Sequence, residues 1–149
     1  GPMARGLALE SDARKAYELA NQKVTLTGFI NHPTIKEAGA SPDGLVGEDG
    51  LIEIKCLNLK NHNDIVKKQT LSKQYNIQIQ FQLACTNRAW CDFVAYHPES
   101  DQLLYIKRVL PEYELTKEIH EKAIIFIAEV EEKYRAMKER NSEELYKYL

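Results

Sequence analysis

The sequence predicts an α/β domain: a central mixed sheet flanked by helices, with a long helix at the C-terminal end. Three observations carry this expectation. Apolar residues recur at helical spacing over residues 4–20, 71–86 and from Pro111 to about Arg140. Between these segments lie short alternating or apolar runs bounded by turn residues: 24–31, 45–46 with 51–56, 90–97 and 103–110. The resulting order, helix–strand–hairpin–helix–strand–strand–helix, requires helices packed on the faces of a sheet. At 149 residues the chain suits one domain, 3–149, with its own core. Gly1-Pro2 ahead of Met3 reads as a protease-cleavage scar.

The first helix places Leu7, Leu9, Ala13, Ala16, Tyr17 and Ala20 mostly on one side, with Glu10 close to that face. Val24 to Asn31 reads as a half-buried strand ending at His32-Pro33. Pro42-Asp43-Gly44 turns the backbone into the strand Leu45-Val46, and Glu48-Asp49-Gly50 reads as a hairpin turn with Gly50 taking positive φ. Leu51–Cys56 is then a strand, apolar except for Glu53 and Lys55. Alternate residues share a face, so Leu51, Glu53 and Lys55 point one way and Ile52, Ile54 and Cys56 the other. Residues 57–70 show no strong period and read as a polar, solvated connection.

Leu71 to Thr86 reads as a helix with a glutamine row, Gln74, Gln78 and Gln82, beside its apolar stripe. Trp90–His97 and Leu103–Leu110 form a hairpin through Pro98-Glu99-Ser100-Asp101, with Asp92 and Tyr96 facing outward or towards a cleft. Beyond Pro111, the stripe Ile119, Ala123, Phe126, Ile127, Val130, Tyr134 and Met137 reads as a core-facing side of a helix to about Arg140, with a weak helix after Ser142.

Composition is that of an ordinary globular domain, 44% hydrophobic and 28% charged. No apolar run approaches the ~20 residues that span a bilayer, and no signal peptide is evident, so a cytoplasmic or nuclear location is expected. A net charge of −2 excludes a passive nucleic-acid coat but leaves room for a local basic groove. The three cysteines form no CxxC pair and have no histidine at zinc spacing, so reduced, buried thiols are expected.

The chemistry concentrates in the hairpin. A carboxylate and an ammonium within an otherwise apolar strand are costly unless paired or bound to metal. Asp43, at the mouth of the hairpin, can fold back towards Glu53. Two carboxylates and a lysine converging there make a hard-cation site with an adjacent cationic group. A structural ion pair on an edge strand is the plainer alternative for Glu53 and Lys55.

Pro42-Asp43, nine residues, then Glu53-x-Lys55 resembles the signature of the PD-(D/E)xK nuclease superfamily. The longer words Ala-Ser-Pro-Asp-Gly-Leu, Gly-Leu-Ile-Glu-Ile-Lys-Cys and Gln78-Ile79-Gln80 resemble the phage-type alkaline exonucleases, the lambda-exonuclease or YqaJ-like viral recombinase group. The resemblance implies a restriction-endonuclease-like core and hydrolysis of DNA, most simply by a 5′–3′ exonuclease on linear double-stranded DNA in phage-type recombination or repair. An endonuclease or nickase of the same fold, or a non-catalytic DNA-binding module, is the alternative. The absence of four cysteines separates the chain from the iron–sulfur members of the superfamily. The expected cofactor is Mg²⁺, with Mn²⁺ as a substitute, held by Asp43, Glu53 and the Ile54 carbonyl. Glu10, within Gly6-x3-Glu10-x2-Ala13-Arg14, resembles the family glutamate that approaches the metal, against an i,i+4 pair with Arg14. Lys55 would act on the attacking water or the developing charge. Gln78 is taken as the glutamine that faces the site, because Gln80 lies ~200° away around the helix. Lys60, Lys67 and Lys68 are candidate contacts to the DNA backbone. A single-strand annealing protein and a homo-trimer are the implied protein partners. Members usually carry a further N-terminal helical region around the 5′-phosphate; with few residues ahead of Gly6, a weaker preference for that phosphate is expected.

Overall fold

The computed structural model describes the backbone of residues 2–148 and the side chains of 5–148. Five strands form one sheet in the order β1 (Val24–Thr25), β4 (Gly44–Val46), β5 (Gly50–Lys55), β6 (Trp90–Tyr96), β7 (Leu104–Val109). β5 and β6 run parallel and the other pairs antiparallel, which makes the sheet mixed, as expected. Parallel neighbours need a long crossover, and residues 56–89 supply it through α2 (Leu59–Lys68) and α3 (Lys73–Thr86). α1 (Pro2–Ala20) covers the opposite face.

The alternation of β5 sorts the core into two layers. Ile52 and Ile54 pack with Ala13 and Tyr17 of α1, Val24, Val46 and Val94. Leu51 packs with Ile79 and Leu83 of α3, Phe93, Ala95 and Tyr105. Gly50 is buried against the Trp90 ring, and a Cβ there would run into it. The positive φ of the hairpin falls on Gly47 instead, at 56°, and Gly50 already belongs to the strand. Arg88 fixes this turn by donating Nη1 to the carbonyls of Gly47 (2.8 Å) and Gly50 (3.0 Å).

Several expectations are corrected. The run 24–31 is two short strands: β1 pairs with β4, whereas β2 (Ile30–Asn31) pairs with β3 (Gly39–Ala40) in a separate ribbon. Leu26 and Phe29 are exposed, so the alternation did not mark a buried face. The polar connection is a helix, α2. Asn58 caps it by accepting from Asn61 N at 2.9 Å, and its innermost position is filled by His62, fully buried, with Nε2 2.7 Å from the Gln102 carbonyl. Asp92 does not face out. It is 1% exposed, accepts from the Tyr17 hydroxyl at 2.6 Å and meets Arg108 through two bonds of 2.9 and 3.1 Å. Arg108 in turn stacks on Trp90, 3.6 Å from its ring.

α4 runs unbroken from Tyr113 to Tyr146. Its first turns lean on α3, where buried Gln80 accepts from Glu112 N (2.9 Å) and donates to the Leu110 carbonyl (3.0 Å). Ile119, Ala123 and Ile127 are half-buried. Phe126, Val130, Tyr134 and Met137 are exposed, so the expected core stripe is covered only along the N-terminal part of the helix.

Candidate active site

Asp43 precedes β4, Glu53 and Lys55 lie on β5, and Glu10 lies on α1; the fold brings all four to one end of the sheet. Asp43 accepts from the backbone N–H of Ile54 at 2.7 Å, which folds it back across the hairpin mouth. Arg14 secures the same corner from α1, donating to Glu10 at 3.1 Å and to the Asp43 carbonyl at 3.5 Å. Glu10 thus makes its local pair with Arg14 and also stands beside Asp43. Glu53 is 4% exposed. One of its oxygens lies 3.3 Å from Lys55 Nζ, and the other accepts from Gln82 at 2.8 Å. Lys55 is further steadied over the ring of Tyr75, 5.1 Å from its centroid, and Tyr75 itself stacks on Phe93.

The electrostatics are those of crowded acids. Burial, and then the charge of Glu53, push Asp43 up to about 6, against the help of the Ile54 N–H and Lys55. Glu10 is raised by burial and by Asp43. Cys56, one residue beyond Lys55 and on the α1 side, is pushed up to about 11 by burial and by Glu10, Asp43 and Asp12, so it stays a thiol. Like charges packed together in a half-buried corner are what a bound cation relieves. Among the described residues, no three His, Cys, Asp or Glu side chains form a ready-made metal cage. The donor set is instead a pair, Asp43 and Glu53, with Glu10 at its edge. That fits Mg²⁺, which commonly takes one or two carboxylates and keeps several waters.

Gln82, not Gln78, is the glutamine that bonds Glu53. Gln78 lies one turn earlier and is exposed, while Gln80 holds the start of α4. The helical row through 74, 78 and 82 carried the signal for this residue. Lys60, Lys67 and Lys68 are exposed on α2. Lys68 lines a groove with Leu57, Asn61, Asp64, Gln74 and Tyr75, and Tyr75 is the ring beneath Lys55. The pair of Arg14 with Glu10 was legible from its i,i+4 spacing, but the reach of Arg14 to the Asp43 carbonyl and the place of Tyr75 beneath Lys55 were not.

A family model, the YqaJ-like viral recombinase domain, matches residues 1–89, which span α1, the hairpin, the crossover helices and the glutamine row. The chain belongs to the YqaJ-like viral recombinase family. Its fold and sequence are similar to the alkaline exonuclease LHK-Exo of Laribacter hongkongensis, with 41% identity and a TM-score of 0.91 over 95% of this chain and 74% of that one. The same figures hold for LHK-Exo in complex with dAMP. A phage-related exonuclease from Haemophilus somnus shares the fold, at 17% identity and a TM-score of 0.62 over 80% of this chain and 66% of that one. Comparison with curated proteins gives no match. The YqaJ-like assignment agrees with the mixed sheet and flanking helices described above, and no helix among the described residues is long and apolar enough to cross a membrane.

Proposed function

We propose that this YqaJ-like chain is a metal-dependent deoxyribonuclease that hydrolyses phosphodiester bonds, acting as a 5′–3′ exonuclease on linear double-stranded DNA. The observation that carries the reading is the crowded pair Asp43 and Glu53, with Lys55 Nζ 3.3 Å from Glu53, at one end of the central strand. LHK-Exo, the relative at 41% identity, is an exonuclease and binds dAMP, a mononucleotide of the kind such an enzyme releases.

Asp43, Glu53 and the Ile54 carbonyl would hold Mg²⁺ or Mn²⁺, with Glu10 contributing to a second position. When bound, the ion neutralises phosphate charge and lowers the pKa of a coordinated water. Lys55 supplies three N–H donors and a fixed positive charge beside that centre. It orients the attacking water or takes up charge developing on the phosphate, a contribution worth roughly 10²-fold or more. Its place over Tyr75 keeps the ammonium near Glu53 without removing it from solvent. Gln78, exposed one turn before Gln82, is available to the substrate rather than to Glu53. Lys68, in the groove that leads away from Tyr75, and its neighbours Lys60 and Lys67 would meet phosphates of the departing duplex. A single-strand annealing protein and a trimeric assembly belong to the same proposal.

Linear and covalently closed duplexes of one sequence, incubated with Mg²⁺ or EDTA, test it. Cleavage of the linear form alone, lost in EDTA and in Asp43→Ala, is expected. Hydrolysis that persists in EDTA or in Asp43→Ala would overturn the metal assignment. Efficient cutting of the closed circle would make the chain an endonuclease.

A further inference from the structure

We propose that Gln82 is a positioning residue for Glu53, the buried carboxylate of the metal pair; this rests on the metal-dependent reading above. Glu53 has two oxygens with different partners. Oε1 faces Lys55 Nζ at 3.3 Å, from a side chain that is 23% exposed. Oε2 accepts from Gln82 Nε2 at 2.8 Å, inside the protein and 29 residues away along the chain. The lysine is partly solvated; the glutamine is 4% exposed and built into α3. The orientation of the carboxylate is therefore set chiefly from the α3 side.

The amide can be oriented only one way. Flipped, it would bring Oε1 against a carboxylate oxygen, acceptor against acceptor, so Nε2 faces Glu53. The consequence is visible at the other atom: Gln82 Oε1 is buried and has no partner among the described residues. A buried acceptor without a donor is unfavourable for the fold. A methionine would fill the same space without that cost, so packing does not account for the amide. Its one made bond, to Glu53, does.

Without Nε2, Lys55 would be the remaining partner of Glu53, and the carboxylate would turn towards the ammonium. Partners that orient a metal-ligating side chain are typically worth roughly 10–100-fold in metal affinity or activity. Gln82→Met keeps the length and volume and removes the donor. Gln82→Asn keeps an amide one methylene too short to reach, and is read in its place if the Met variant fails to fold.

The experiment is calorimetric titration of Mn²⁺ alone into the full chain, together with cleavage of linear duplex over a range of Mn²⁺ concentrations. Mn²⁺ binding at least ~10-fold weaker than in the unsubstituted protein is expected. The cleavage rate should fall at limiting Mn²⁺ and recover at high Mn²⁺, with the KM for DNA unchanged. A merely structural role would not produce recovery by metal. Unchanged Mn²⁺ affinity in a folded variant overturns the proposal, while a normal loss of binding in Asp43→Asn would leave the metal-dependent reading standing. If the unsubstituted protein takes up no Mn²⁺ and Asp43→Asn cleaves normally, the underlying reading fails, and the role of Gln82 with it.

Discussion

Asp43→Asn should stabilise the metal-free protein while abolishing its activity. Asp43 is pushed from an ordinary 3.8 to about 6 by burial and by Glu53. A carboxyl whose folded pKa is raised binds protons more readily in the fold than in the unfolded chain. Its stabilising contribution is complete below about pH 4 and is lost as pH rises to about 6. Above that window, ionised Asp43 is a net cost. The shift of 6 − 3.8 = 2.2 corresponds to about 3 kcal/mol at ~1.36 kcal/mol per unit. Because Asp43 and Glu53 share the effect, about 1–3 kcal/mol is the working range. The asparagine carbonyl can still accept from Ile54 N, so the hairpin mouth keeps its bond. For a domain of this size, that range raises Tm by roughly 3–9 °C. Thermal unfolding at about pH 8 in EDTA measures it directly. Adding Mg²⁺ should raise the Tm of the unsubstituted protein, since a ligand stabilises the state that binds it, and should leave Asp43→Asn unmoved. An asparagine variant less stable than its parent in EDTA would refute the electrostatic account of the site.

Other perturbations separate the remaining parts. Lys55→Ala should retain Mn²⁺ binding by calorimetry yet lose about 10²-fold or more in turnover; near-normal turnover would leave Lys55 a counter-ion. Replacing Lys60, Lys67 and Lys68 together by Ala should reduce the slope of log affinity for DNA against log salt by up to ~0.9 for each phosphate that is no longer neutralised, read by fluorescence anisotropy. Asp92→Ala orphans the buried Tyr17 hydroxyl and should cost about 1–3 kcal/mol in urea unfolding. Phe126→Ser, on the exposed part of α4, should change stability by less than ~0.5 kcal/mol; a loss of ~3 kcal/mol or more would mean that the ring is packed.

The hairpin was legible because its constraints are local. Glu53 and Lys55 interrupt an apolar strand, and the period of two fixes their common face whatever surrounds them. Asp43 was legible from the turn that carries it. Elsewhere, the deciding partner lies far along the chain. His62 holds the inner position of α2 through a carbonyl 40 residues away, so that helix looked like a polar loop. Gln78 and Gln82 stand on one helical face, and only the height of Glu53 beside α3 selects the second. Asp92 carries a charge that suggested exposure, yet Tyr17 and Arg108 satisfy it in the interior. The stripe of α4 has core periodicity, but periodicity records which residues are apolar, not whether a neighbour extends far enough to cover them.

The bond between Tyr17 and Asp92 joins positions 75 residues apart and seats α1 on the sheet. Glu10 and Arg14 ride on that helix, so the α1 side of the acid cluster is fully secured only once β6 has been made. During synthesis, the N-terminal segment leaves the ribosome first, and the Tyr17 hydroxyl lacks its partner until Trp90–Tyr96 has followed. Glu53 likewise waits for Gln82, and β5 for its parallel neighbour. A nascent or broken-off fragment ending before β6 therefore carries the sequence motif without the assembled site. Long-range closure of this kind slows folding, and here it ties assembly of the acid corner to completion of the sheet.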